Sequence, residues 1–246
     1  MHKRRTTYTK RFSLLVLTSL LVAGAMSASS IVTYEGQDDG APITGPFPNS
    51  TTAETAFTTA AITLSPLDTI TFESLPVGFQ SSFTAAPGVT VDLNAPDDGD
   101  GVSGVSDITF GNNFGFNVTP AGSKWLGFAQ GSVEFSFATP TDYFGFWLTG
   151  VQTPLTSQIT VNFSDGVSEV LNAPVNNNGG AAFFGFTDAG KSIDSITITN
   201  NSNDAWGIDD VKYNTGASAI PEPSSIVLFG TVVLALGGGL RRARRR

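Results

Sequence analysis

Residues 133–137 read Val-Glu-Phe-Ser-Phe and residues 159–163 read Ile-Thr-Val-Asn-Phe. Alternation with a period of two puts Val133, Phe135 and Phe137 on one face of a strand, with Glu134 and Ser136 on the other. Ile159, Val161 and Phe163 repeat the arrangement. A strand with one apolar and one wet face needs a second layer to cover it, so the pattern implies antiparallel sheets packed face to face.

Short β-type runs recur along the body of the chain. They fall at 69–73, 89–93, 107–110, 114–118, 124–129, 133–137, 143–149, 158–163, 168–171, 182–186, 193–199 and 206–213. Pro87-Gly88, Asp165-Gly166, Asn178-Gly179 and Ala189-Gly190 punctuate them as turns. No stretch of the body carries a 3.6-residue apolar period, so no helix is expected there. About a dozen strands without helices suggest a jelly-roll-like antiparallel β-sandwich over 69–215. A β-helix is the structural alternative, although it would repeat more tightly. Phe-Gly-Phe at 114–116, 144–146 and 184–186 is the one internal echo, and its uneven spacing reads as recurrent strand packing. Residues 29–68 lack periodicity and read as a loosely ordered lead-in with at most one strand near 61–64.

The chain has no cysteine, and its single histidine is His2. Disulfides, thiolate chemistry, Ser-His-Asp triads and imidazole-ligated zinc are therefore excluded from the body. Charge is segregated. Ten of the thirteen basic residues lie at the two ends, leaving Lys124, Lys191 and Lys212 against twenty acids in residues 31–219, a net charge of −17. Such a body repels nucleic acid and acidic membranes and attracts cations. No nucleic-acid partner is expected.

The ends read as processing signals. Residues 1–28 combine a basic start, an apolar run from Phe12 to about Ala23, and small residues at 23–28, the composition of a cleavable signal peptide. At the other end, Pro221, Glu222 and Pro223 precede a 17-residue uncharged stretch (224–240) and a closing set of five arginines. The stretch is just long enough to cross a bilayer as a helix, and the arginines hold its end on the cytoplasmic side. This three-part tail, residues 220–246, resembles the PEP-CTERM sorting signal of Gram-negative bacteria. The resemblance implies recognition by an exosortase-type processing enzyme, transient anchoring in the inner membrane, and delivery to the cell surface or the extracellular polysaccharide. It implies nothing about the body.

Three groups of residues in the body are candidates for chemistry. Trp147, Phe183, Phe184 and Trp206 would serve as sugar-stacking platforms if exposed, and as core if not. Phe183 and Phe184 are adjacent in one strand, so they face opposite ways and one must find cover outside the main core. The loop Asp97-Asp98-Gly99-Asp100-Gly101 offers Asp97, Asp98 and Asp100 to a hard cation such as calcium, without the distal Glu of an EF-hand; a solvated acidic turn is the competing reading. Finally, strand 206–213 carries Asp209 and Asp210. Alternation places Asp209 with Val211 and Tyr213, so one carboxylate points toward apolar neighbours whichever face is buried. A buried carboxylate needs hydrogen bonds, a cation or a proton. The segment resembles the closing strand of jelly-roll domains such as MAM-type modules, whose matching acids bind a structural cation. That resemblance brings in Glu73 as a further ligand, provided an edge or bulge turns it inward. The alternative is that Asp209 accepts backbone N–H bonds from a neighbouring loop.

The sequence thus predicts an exported, non-enzymatic β-sandwich of the envelope surface or extracellular matrix, associated with exopolysaccharide. A carbohydrate-binding module is the second reading, and a carboxylate-dependent glycoside hydrolase the third.

Overall fold

The computed structural model describes residues 31–97, 102–152, 159–173, 176, 178–188, 190, 192–202 and 204–214. The expected signal peptide, the sorting tail with Pro221, Glu222 and Pro223, and the loop acids Asp98 and Asp100 lie outside these residues. Among the described residues no helix is long and apolar enough to cross a membrane.

Thirteen strands and one helix make up the described chain: β1 (Ile31–Asp39), α1 (Pro48–Ala61), β2 (Asp68–Ile70), β3 (Ser82–Ala86), β4 (Val89–Asn94), β5 (Gly104–Ser106), β6 (Trp125–Phe128), β7 (Gly131–Thr141), β8 (Tyr143–Thr149), β9 (Ile159–Phe163), β10 (Ser168–Leu171), β11 (Gly180–Asp188), β12 (Ile193–Asn200) and β13 (Trp206–Tyr213). The first sheet runs β1-β11-β8-β13-β6-β5, with β2 also paired to β13, and the second runs β10-β9-β12-β7-β4-β3. Every pairing is antiparallel. The expected sandwich is present.

Between the sheets lies the main core. The second sheet contributes Val133, Phe135 and Phe137 with Ile159, Val161 and Phe163, as their alternation requires. From the first sheet come Phe144, Phe146, Phe184 and Phe186, the outer members of two Phe-Gly-Phe triplets placed side by side. Their central glycines, Gly145 and Gly185, are cross-strand partners and face the other way.

What covers that other face is a finding the sequence does not predict. Residues 31–68 are not a loose lead-in: β1 pairs with β11 over its whole length, and α1 lies across β1, β8 and β11. The helix presents Ala53, Phe57 and Ala61 to a second apolar cluster with Tyr143, Trp147 and Phe183. Phe57 rests on the two glycines; a methyl added at Gly145 or Gly185 would come within 2.9 or 2.7 Å of its ring. Strands β8 and β11 are consequently buried on both faces throughout. Trp125 occupies a similar hollow, floored by Gly115, Gly127 and Gly207.

Pro48 starts α1 at a position where no N–H is needed. The N-terminal donors left without a partner in the helix are met from β1: the Asp38 carboxylate accepts Asn49 N–H (3.1 Å), Ser50 N–H (2.9 Å) and the Ser50 hydroxyl (2.7 Å). Lys212 on β13 pairs with Glu54 at 2.9 Å and holds the helix to the sheet. No strand forms at 61–64; helix and turn occupy those residues.

Candidate functional site

Strand β13 changes partners along one edge. Trp206, Gly207 and Ile208 pair with β6, whereas Val211, Lys212 and Tyr213 pair with β2. Between them the ladder to β8 slips, from Asp209 opposite Trp147 to Lys212 opposite Gly145. Asp210 supplies the extra residue of this bulge and takes φ +44°. The slip corrects the simple alternation: Ile208, Val211 and Tyr213 all reach the main core, and Asp209 shares the opposite face with Trp147.

The bulge gathers the acids named from the sequence. Asp209 is fully buried. Its Oδ2 accepts N–H bonds from Val118 (2.8 Å), Thr119 (3.2 Å) and the Asn117 amide (3.2 Å), and its Oδ1 accepts Asp210 N–H at 2.8 Å. Asp210 accepts the Thr119 hydroxyl at 2.6 Å. The same Asn117 amide donates to Glu73 Oε1 at 3.0 Å, which also accepts Ser123 N–H and Lys124 N–H, both at 2.8 Å. Glu73 reaches inward because β2 has ended at Ile70 and Phe72 adopts φ +61°, which breaks the alternation. The Lys124 ammonium closes the arrangement by donating to the carbonyls of Glu73 (2.9 Å) and Leu75 (2.6 Å).

Among the described residues, the three non-glycine residues with positive φ are Phe72, Ala121 and Asp210, and all three fall in these segments. Such conformations cost roughly 1–3 kcal/mol each and persist where surrounding bonds hold them. Burial is the main cause that pushes the Asp209 carboxyl up to about 8; the Asp210 charge adds to it, and the N–H bonds from Val118, Asp210 and Thr119 oppose it. Burial also raises Asp210, against the Thr119 bond and Lys212.

Chemically, this is a clamp. It ties loop 117–124 to β13 on one side and to the turn after β2 on the other. Both oxygens of Asp209 and one each of Asp210 and Glu73 accept N–H or O–H bonds, and a lysine sits among the backbone carbonyls. Among the described residues no group of three or more His, Cys, Asp or Glu side chains is disposed to hold a metal ion. Of the two readings of Asp209, the geometry is that of backbone N–H acceptance from a neighbouring loop. A substrate bridging Glu73 and Asp209 would have to displace Asn117.

The other candidates are dispersed. Asp97 is exposed on the loop after β4. Phe184 and Trp206 belong to the main core, while Phe183 and Trp147 lie beneath α1. All four are buried, so none is a stacking platform: the helix supplies the outside cover that the Phe183-Phe184 pair demands. Sequence reasoning missed Asn117, Thr119 and Lys124. Asn117 opens the triplet Asn117-Val118-Thr119, a short and common pattern, and no local signal marks its amide as the link between two acids.

No family model matches the chain, and no curated protein matches it.

Proposed function

We propose that the chain is an exported, non-enzymatic protein of the cell surface or extracellular matrix, sorted by an exosortase-type enzyme and associated with extracellular polysaccharide. The observation that carries this reading is the tail: Pro221-Glu222-Pro223, an uncharged 17-residue run, and five arginines, in that order. A plain anchor needs the run and the arginines but not the Pro-Glu-Pro. In the body, the concentrated acids around β13 serve as a clamp, which fits a scaffold. A jelly-roll-like arrangement fits the chain path, because from β6 onward the strands cross repeatedly between sheets, β6, β8, β11 and β13 in one and β7, β9, β10 and β12 in the other.

Deleting Pro221, Glu222 and Pro223 tests the reading in the native host. Export continues, because the signal peptide is intact, but the tail stays on. The mature mass is then larger by the uncleaved tail, and the protein is retained in the inner membrane. Processing of the deletion variant to the normal mass overturns the sorting assignment.

A further inference from the structure

We propose that Phe110 and Phe114, with Ile108 beside them in the chain, form a binding platform for a neutral polysaccharide; the choice of ligand rests on the extracellular reading above. The three side chains are 43%, 42% and 41% exposed in a protein that buries its tryptophans. The two rings lie 5.7 Å apart between centroids at 59°, forming an open corner.

The backbone that carries them is pinned. Ser106 Oγ accepts Ile108 N–H at 3.3 Å, and the Ile108 carbonyl accepts the Trp125 indole N–H at 3.1 Å. Gly180 N–H donates to the Asn112 carbonyl at 2.7 Å, and the Asn112 amide donates to the Gly40 carbonyl at 3.3 Å. Phe114 N–H closes a turn onto Gly111, and the Phe114 backbone lies so close to Gly150 that no side chain fits there. Two residues on, the Thr149 hydroxyl accepts Phe116 N–H (2.9 Å) and donates to the Phe116 carbonyl (3.0 Å), standing in for a strand partner. Exposed rings on a fixed backbone carry little ordering cost when a ligand stacks on them.

Size and charge choose the ligand. Three side chains fall far short of the roughly 800 Å² per partner that a stable protein interface buries. An acidic lipid surface or nucleic acid needs cations. Of the three lysines in the body, Lys124 is committed to two carbonyls and Lys212 to Glu54, which leaves one against twenty acids. A second copy would bring another −17 against the first. A sugar ring has an apolar face that fits an aromatic corner and hydroxyls that can reach Thr109 and Asn113, both exposed between and beside the rings.

Affinity electrophoresis of the full chain tests this, in a polyoxyethylene detergent so that no sugar headgroup competes. The gels contain a soluble neutral β-glucan, mannan, galactan or xylan, or anionic polygalacturonate. Wild type is retarded by at least one neutral polymer. Phe110→Ala with Phe114→Ala weakens that retardation by about tenfold or more in apparent Kd, Phe114→Tyr retains it, and the melting temperature is unchanged in each. Undiminished retardation of the double variant overturns the platform while sparing the association with polysaccharide. No retardation of wild type by any neutral polymer, or retardation by polygalacturonate alone, overturns it too, and leaves tail processing to be judged separately. A concentration-dependent dimer that the double variant loses assigns the patch to self-association instead.

Discussion

The two sheets of this sandwich use the same residue types in opposite ways. In the second sheet the strands that face the core have a dry face and a wetter one; β4 alternates buried and exposed without a break, and β9 alternates buried and half-buried. In the first sheet, β8 and β11 have two dry faces, one against the opposite sheet and one against α1. The main core is made by large side chains meeting large side chains. The outer layer is made by a large side chain meeting an absence, Phe57 on Gly145 and Gly185. A face floored with glycine cannot be left open, because it exposes backbone and the flanking Tyr143, Trp147 and Phe183 together. A face of Ser, Thr and Glu can.

The contrast is broken most strongly at Phe57. Phe57→Ala leaves the glycine floor without a cover and should cost about 3–5 kcal/mol, read as a shift in the denaturant midpoint. A loss below about 1 kcal/mol would mean that α1 is an accessory and the outer layer holds without it.

A second test separates the sheets by pH. The Asp209 carboxyl has an ordinary value of 3.8 and stands at about 8 in the folded chain. Between those values the folded state binds more protons than the unfolded state, so stability falls as pH rises through that window and levels off above about 8. Asp210, raised in the same direction, adds to the fall. Asp209→Asn should flatten most of this slope while costing roughly 1–3 kcal/mol, since an amide has one acceptor oxygen and would turn its NH2 group onto N–H donors that the second carboxyl oxygen meets. At matched ionic strength a calcium chelator should leave both melting curves in place. A calcium-dependent rise that Asp209→Asn abolishes would assign a cation to the clamp.

The smallest effect belongs to the wet face. Thr197 lies in β12 between Glu134 and Thr160, half-exposed on the outside of the second sheet. Thr197→Val should change stability by no more than about 0.5 kcal/mol in thermal denaturation. A cost comparable to that of Phe57→Ala would show that this face, too, is covered.

How far the fold is legible follows the same division. Where one face is wet, period two is written in the residues, and strands such as β7 and β9 are recognisable at once. Doubly buried β8 and β11 are recognisable as apolar runs, and the adjacent Phe183 and Phe184 announce a second cover without saying what it is. That cover is hidden because α1 carries a single large apolar residue among Thr and Ala; Thr52, Thr55 and Thr59 turn their hydroxyls onto carbonyls four residues back. Glu35, Gly36, Asp38 and Asp39 made β1 look like a loop. The reverse error occurs at 107–110 and 114–118, which have strand-like residues but are held by side-chain bonds and glycine contacts outside any ladder. In the clamp, Asp209 and Glu73 are legible as acids in apolar company. Asn117 is not, because its role depends on three segments meeting, and no one of them records the other two.

The Asp38 carboxylate ties helix α1 to a strand pairing made far along the chain. It caps α1 only when β1 is in place, and β1 has no partner until β11, some 140 residues later, has formed. The part of the polypeptide that is synthesised first therefore cannot take its final place until residues 180–188 are available to pair with it. Without β1 and α1 in place, Tyr143, Trp147 and Phe183 lack the outer cover that the folded chain gives them.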